Sequence, residues 1–193
     1  PSTPRPRIYA DPVGDTTETE PISLLPERMD LPRGRAALPE SEVAAAQKAR
    51  IMQATVDEIA DVGYASATIA GIIGRARVSR TTFYRSFADK DESLRAACLA
   101  ANVHLVRQIR ARAAEHEPGA WRDRVRAGVE SYLDNYEQAP RFAYCFLVDI
   151  HGAGDGLRRQ RDEIVELHAG ALVRVAESAL AAGEAVRVPS LME

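Results

Sequence analysis

The chain has 193 residues, enough for one or two domains, and 46% of them are apolar, which is ample for a buried core. Its formal net charge of −3 excludes a uniformly basic coat, so any nucleic-acid binding must come from a local positive patch. Cys98 and Cys145 lie in apolar helical patterns without a nearby Cys or His at metal-ligand spacing. We therefore expect buried, reduced thiols in a cytoplasmic protein with no bound metal, no cofactor and no membrane partner.

Residues 1–39 form a segment of distinct composition, with eight of the eleven prolines and few large apolar side chains. Because proline blocks helix formation, we predict an extended or disordered N-terminal arm. Near its end, Arg33 and Arg35 flank a glycine. This short basic stretch is either a solvated linker or an arm that reaches into a DNA minor groove.

Helix-capping signals divide the next part of the chain. Ser41 or a neighbour can cap a helix that runs to about Val62, after which Gly63 is a natural stop. Thr68 and Ser79 can cap two short helices, which we expect to end near residues 75 and 87. Asp89 then opens a longer helix, because a carboxylate cap is followed by Glu92 at the third helical position.

The C-terminal part also shows only helical periodicity. We expect helices over about 120–137, from Pro140 onward, and over 157–182, with a loop at residues 152–156 where three glycines cluster. The buried side of the last helix is predicted to carry its regularly spaced apolar residues, Leu157, Ile164, Leu167, Ala171, Leu172, Val175 and Leu180. Nothing resembles a strand, so the predicted fold class is all-α.

Thr68 to Glu92 is the most informative segment, because two short helices joined by a tight connection are typical of a helix-turn-helix. From Arg75 to Lys90 there are five cationic residues against Asp89 alone, which leaves a local charge of +4. A positive head on a neutral-to-acidic body indicates sequence-specific binding to double-stranded DNA.

The span from about Lys48 to Leu99 resembles the N-terminal domain of TetR-family transcriptional regulators. The matching stretches are residues 61–68 (DVGYASAT), 76–84 (ARVSRTTFY) and 87–94 (FADKDESL). The resemblance implies a three-helix helix-turn-helix DNA-binding domain followed by a helical ligand-binding and dimerisation domain. It also implies a homodimer on a near-palindromic operator, released by a small molecule. The chain departs from the family pattern at Arg77, where glycine is usual in the turn.

Individual DNA contacts follow from position and from the resemblance. In the second short helix, Val78, Phe83 and Phe87 should face the core, which leaves the polar residues outward. By position, the expected base readers are Arg80, Thr81 and Arg85, since arginine can bind guanine and a threonine methyl can touch thymine. The family pattern implies that the phosphate contacts are Thr68, Thr82, Tyr84 and Lys90. Hydroxyl groups and an ammonium suit phosphate oxygens.

Aromatic residues gather in the helices of the body, either as ordinary core or as the wall of an effector pocket. The candidate pocket residues are Asn102, Trp121, Tyr132, Tyr136, Phe142, Phe146 and His168. With few polar groups among them, they favour a small hydrophobic effector.

Two other classes of function compete with a DNA-binding regulator. An enzyme is disfavoured because the four histidines form no metal-binding pair at helical spacing and no phosphate-binding loop is present. A helical ligand-binding or interaction module that has lost DNA binding is the remaining alternative, which Arg77 favours weakly. The predicted organisation is an arm at 1–39, a DNA-binding domain at 40–88 and an effector-binding and dimerisation domain at 89–193. We expect that last domain to be truncated at its C-terminus, because residues 189–193 resemble a helix start.

Overall fold

The computed structural model describes residues 39–116 and 120–183, which form seven α-helices and one 3₁₀ helix. The α-helices are α1 (Glu40–Val62), α2 (Ile69–Ala76), α3 (Arg80–Ser86), α4 (Lys90–Ala114), α5 (Trp121–Gln138), α6 (Pro140–Leu147) and α7 (Asp155–Ala181). No strand occurs within these two ranges, so the predicted all-α fold is confirmed. The arm with Arg33 and Arg35 lies outside the described residues, as does the segment after residue 183.

Side-chain caps determine where three of the helices begin. Thr68, Ser79 and Asp89 each accept a hydrogen bond from the backbone N–H three residues further on, at 2.7–3.0 Å. Glu92 completes the cap of α4, because its carboxylate accepts the N–H of Ala88 at 2.6 Å. Each predicted cap is thus confirmed, and the caps satisfy N–H groups that a helix start leaves unpaired.

The start of α1 differs from the prediction of a Ser41 cap. Pro39 occupies the N-cap position, without a side-chain hydrogen bond, and its carbonyl accepts the N–H groups of Glu42 and Val43. Proline fixes φ and needs no hydrogen-bond acceptor for itself, so the helix begins two residues earlier than a Ser41 cap would place it, and Ser41 lies inside it. At the other end, Gly63 has a φ of 81°, which agrees with its predicted role as a stop.

A single apolar core runs through the head (residues 40–88) and the body (residues 89–183). In the head, Ile51, Ile59, Ile72 and Phe83 are fully buried where α1, α2 and α3 meet. The same cluster continues through α4, α6 and the start of α7 by way of Leu94, Ala97, Cys98, Cys145, Phe146 and Leu157. Because α1 and α4 contribute to both parts, the head is packed directly on the body.

The glycine-rich segment is more ordered than the predicted loop at residues 152–156. A 3₁₀ helix covers Asp149–Gly152, and α7 already begins at Asp155. Ile150 and Ala153 are buried in this connection, so apolar packing holds the short segment in a helical turn. None of the helices within the described ranges combines the length and apolar character that a transmembrane span requires.

The predicted apolar side of α7 is buried only in its first half. Leu157 and Ile164 are in the core, but Leu167 is 62% exposed and Leu172 is 50% exposed. Val175 and Leu180 are also exposed. The prediction was wrong here because a helical period marks an apolar face without indicating whether another part of the same chain covers it.

Candidate nucleic-acid interface and ligand cavity

The turn between α2 and α3 is held in a left-handed backbone conformation at Arg77, with φ 52° and ψ 46°. Arg77 is the one non-glycine residue with positive φ in the described part of the chain. Its own N–H and that of Val78 both bond to the carbonyl of Ile73, which ends α2 in the manner of a Schellman motif. A residue with a Cβ in this conformation costs about 1 kcal/mol relative to glycine. The turn therefore has the expected geometry despite the unusual residue.

The recognition helix α3 separates its apolar and polar side chains. Phe83 is fully buried and Phe87 nearly so, and their rings lie 6.2 Å apart against the core of the head. The opposite face is exposed and carries the predicted base readers Arg80, Thr81 and Arg85, together with Tyr84. This face is polar and cationic, as a helix that enters the major groove requires.

Of the predicted phosphate-binding hydroxyls, that of Thr68 keeps a proton that can be donated. Thr68 Oγ1 is used as an acceptor in the cap of α2, which leaves its hydroxyl proton free. Thr82 is half-buried, and its hydroxyl lies 2.8 Å from that of Ser79. Capping and phosphate contact are compatible roles, because one oxygen can accept from the backbone while its proton points toward an anion.

Lys90 is more engaged within the protein than the phosphate prediction implies. Its ammonium donates to the carbonyls of Tyr64 at 2.7 Å and Ala67 at 3.1 Å, and it lies 4.4 Å from the centre of the Tyr64 ring. The Tyr64 hydroxyl in turn donates to Asp91 at 2.5 Å, and burial together with this bond raises the pKa of Tyr64 to about 12. Lys90 thus fastens the α1–α2 loop to α4 and retains one N–H for a phosphate.

Arg75 is withdrawn from the positive patch by acidic residues of α1. Its guanidinium binds Glu58 at 2.6 Å and Asp61 at 2.7 Å, and the bond to Glu58 is the main cause of its raised pKa. The Glu58 carboxylate lies where a side chain at Gly71 would stand, so a Cβ there would come within 1.9 Å of it. Glycine at this point of α2 therefore makes room for a partly buried ion pair.

The cations that remain on the DNA-facing side are fewer than the sequence count suggested. Arg85 donates to the side-chain oxygen of Gln47 at 3.2 Å, a contact that a base could replace. Lys48 adds an exposed charge from α1, 5.4 Å from the centre of the Phe87 ring. Sequence reasoning did not assign Gln47 or Lys48, since only the packing of α1 on α3 brings them to this face.

A narrow cavity lies in the body between α4, α5, α6 and α7. Its lining includes five of the seven predicted pocket residues, Asn102, Tyr136, Phe142, Phe146 and His168. The other lining side chains, which the sequence did not single out, are Cys98, Ala101, Leu105, Asn135 and Ile164. The cavity volume is only about 10 Å³, which is room for about one water molecule. A ligand would have to spread these helices.

The polar groups of the cavity are few and are arranged around His168. Its Nε2 lies 2.8 Å from the side-chain oxygen of Asn102, and its ring meets that of Tyr132 edge-on at 5.7 Å. Burial lowers the pKa of His168 and raises that of Tyr136, so both are neutral at pH 7. Tyr132 and Trp121 are not among the lining residues. The Tyr132 ring packs edge-on against that of the lining residue Tyr136.

Comparison with known proteins connects this geometry to a family. The family model described as "Bacterial regulatory proteins, tetR family" matches residues 51–97, which include all of α2 and α3 and end within α4. A solved structure titled "Structural analysis of fatty acid degradation regulator FadR from Bacillus halodurans" is similar, with a TM-score of 0.67 and 19% identity over 72% of each chain. A search of curated proteins finds no match. The matched segment and its helix-turn-helix geometry show a DNA-binding domain of the tetR family at residues 51–97, so the chain is a TetR-like DNA-binding transcriptional regulator.

Proposed function

We propose that this regulator is a homodimeric repressor that leaves a near-palindromic operator when a small hydrophobic effector enters the body. The observation that carries the DNA-binding part is the exposed face of α3, with Arg80, Thr81 and Arg85 supported from beneath by the buried Phe83. In this proposal those three residues read bases, while the hydroxyls of Thr68, Thr82 and Tyr84 and the remaining N–H of Lys90 hold phosphates. The division at residues 88 and 89 then separates a DNA-binding domain from an effector domain, and the protein acts in the cytoplasm.

The apolar surface of the body supports the homodimer. Leu167, Leu172 and Val175 are exposed, and their helical spacing places them on one side of the second half of α7. A patch of large apolar side chains on a soluble protein indicates an association surface, and a second copy would bury it symmetrically. Two α3 helices held about one DNA turn apart, ~34 Å, would then meet successive major grooves.

The cavity supports an apolar effector with one neutral hydrogen-bonding group. Phe142, Phe146 and Ile164 supply the apolar wall, and Asn102 with His168 supplies the polar end. No phosphate-binding cluster of cations lines it. Because the similar structure is named a fatty acid degradation regulator, acyl compounds are the first class of effector to test.

The packing offers two routes from the cavity to the head. Helix α4 runs without interruption from Lys90, which holds the α1–α2 loop, to the cavity residues Cys98 and Asn102. On α6, Arg141 precedes the cavity residue Phe142 and binds Asp61 of α1 at 2.7 Å. Since Asp61 also binds Arg75 of α2, an effector that displaces α6 would pull on the helix-turn-helix through this ion-pair chain.

Selection of bound sequences from a library of random duplexes tests the proposal on the full chain. We expect a near-palindromic site, bound more tightly than a scrambled duplex and weakened steeply between about 50 and 200 mM salt. Fluorescence anisotropy on that site, with fatty acids of increasing chain length, then tests release. Arg141→Ala should leave operator affinity unchanged and reduce the effect of an active compound, because it cuts only the α6 route.

The outcomes separate the competing functions. Weak binding that is equal for all duplexes and indifferent to salt would favour the ligand-binding or interaction module that has lost DNA binding. Tight, specific binding that no apolar compound weakens would support the DNA-binding regulator and contradict the hydrophobic effector.

A further inference from the structure

The turn residue Arg77 combines backbone strain with an unpartnered charge. It has the left-handed conformation that glycine adopts freely, yet it carries the longest cationic side chain. The side chain is exposed, and no hydrogen bond, ion pair or ring contact joins it to another described residue. The strain is therefore not offset by any contact that the guanidinium makes within the described chain.

The neighbouring cations are engaged differently. Arg75 is bound by two carboxylates, Lys90 by two backbone carbonyls, and Arg85 by Gln47. Of the five cations from residue 75 to 90, only Arg77 and Arg80 extend from the head without such a partner among the residues that the structure describes. The free positive charge of the helix-turn-helix is thus concentrated at the turn and at the first residue of α3.

We propose that Arg77 is an additional DNA-phosphate contact. Its charge raises the affinity for DNA, and its backbone strain lowers the stability of the turn. This inference rests on the proposed DNA-binding function. When the start of a recognition helix lies in the major groove, the turn before it lies beside the sugar-phosphate backbone at the groove edge. An arginine there reaches phosphate oxygens without reading a base, so it strengthens binding to every sequence alike.

Arg77→Gly is the informative variant, because it should change stability and DNA affinity in opposite directions. Removing the Cβ should raise the melting temperature. Removing the charge should weaken binding to a fluorescein-labelled random-sequence duplex of about 30 base pairs by roughly five- to tenfold per protomer near 0.1 M salt. The slope of log affinity against log salt should become shallower by about 0.9 for each protomer bound.

Two further variants keep the result specific to Arg77. Arg77→Lys retains the charge in the same strained turn, so its salt slope should match that of the unaltered chain. Arg110→Ala removes an exposed arginine from α4, in the body, and should change neither stability nor slope appreciably. Equal weakening by Arg110→Ala would mean that overall charge, rather than a contact at the turn, controls binding, and would overturn the proposal.

The failure of this inference differs from failure of the proposed function. If the unaltered chain binds the duplex with a steep salt dependence and Arg77→Gly binds equally well, Arg77 is only a strained turn residue. If the unaltered chain shows no salt-dependent binding to the random duplex or to a selected site, the DNA-binding function falls, and this inference with it.

Discussion

The head and the body present opposite surfaces for their partners. In the head, the short helices α2 and α3 bury Ile72 and Phe83 and leave a polar, cationic face outward. In the body, the second half of α7 leaves leucine and valine side chains in solvent. A polar face suits a hydrated, charged polymer, and an apolar face suits another protein surface. In the proposed function, the same helical building block serves two kinds of recognition.

The two parts also differ in how their packing is completed. The head fills the space between α1, α2 and α3 with fully buried side chains such as Ile51, Ile72 and Phe83, and its core is continuous with that of the body. The body encloses a cavity with four helices and leaves one face open. Substitutions in the head should therefore alter folding and DNA contact, whereas those on α7 should alter association.

The largest expected contrast is between Phe83→Ala and Leu167→Ala, two apolar residues at helical spacing. Phe83 is fully buried, so its loss should lower the free energy of unfolding by about 3 to 5 kcal/mol. Leu167 is exposed, and its loss should change that free energy by less than about 0.5 kcal/mol in dilute protein. Urea denaturation measures both. A cost for Leu167→Ala that grows with protein concentration would reveal burial in the dimer.

The next effect concerns base reading by the polar face of α3. Replacing Arg80 and Arg85 together with alanine should lower discrimination between the selected operator and a scrambled duplex by about 1 to 3 kcal/mol per arginine, with the helical content unchanged. Replacing Arg110 and Arg126, two exposed arginines of the body, is the matched control. Anisotropy titrations and circular dichroism provide the comparison. Unchanged discrimination would remove both arginines as base readers.

Two glycines of α2 offer a smaller and sharper contrast. Gly74→Ala should stabilise the head by up to about 1 kcal/mol, since a Cβ there meets no atom within 4 Å and alanine favours a helix. Gly71→Ala should destabilise it by about 1 kcal/mol, because the Cβ displaces the Glu58 carboxylate from Arg75. Thermal unfolding of the two variants measures both changes in stability. An equal gain for both variants would mean that Glu58 moves aside without cost.

The smallest effect is a pH dependence that originates in the cavity. Burial lowers the pKa of His168 below 6.5, so between 6.5 and that lower value the unfolded chain holds a proton that the folded chain does not. Stability should therefore fall as the pH drops from 7 through this window. Between pH 7 and 5.5, the melting temperature of His168→Gln should fall by less than that of the unaltered chain. An identical fall would mean that a group other than His168 causes the pH dependence.

Sequence patterns were sufficient for features that depend on a few neighbouring residues. The caps at Thr68, Ser79 and Asp89 and the buried face of α3 follow from hydrogen-bonding groups and apolar side chains at fixed spacing. The left-handed conformation of Arg77 does not belong to this class, because its side chain does not favour positive φ and the resemblance showed only that glycine is usual at this place in the turn. Five of the cavity residues were found because aromatic and polar side chains on apolar helical faces tend to converge.

Only the tertiary structure decided features that depend on residues far apart in the chain. It placed Glu58 against Gly71, bound Lys90 to two carbonyls from the α1–α2 loop, and brought Gln47 to Arg85. It also left the later leucines of α7 exposed and Trp121 out of the cavity lining. A sequence period defines the faces of a helix, but the partner of each face is chosen by the packing of the whole chain, because burial is a property of that packing.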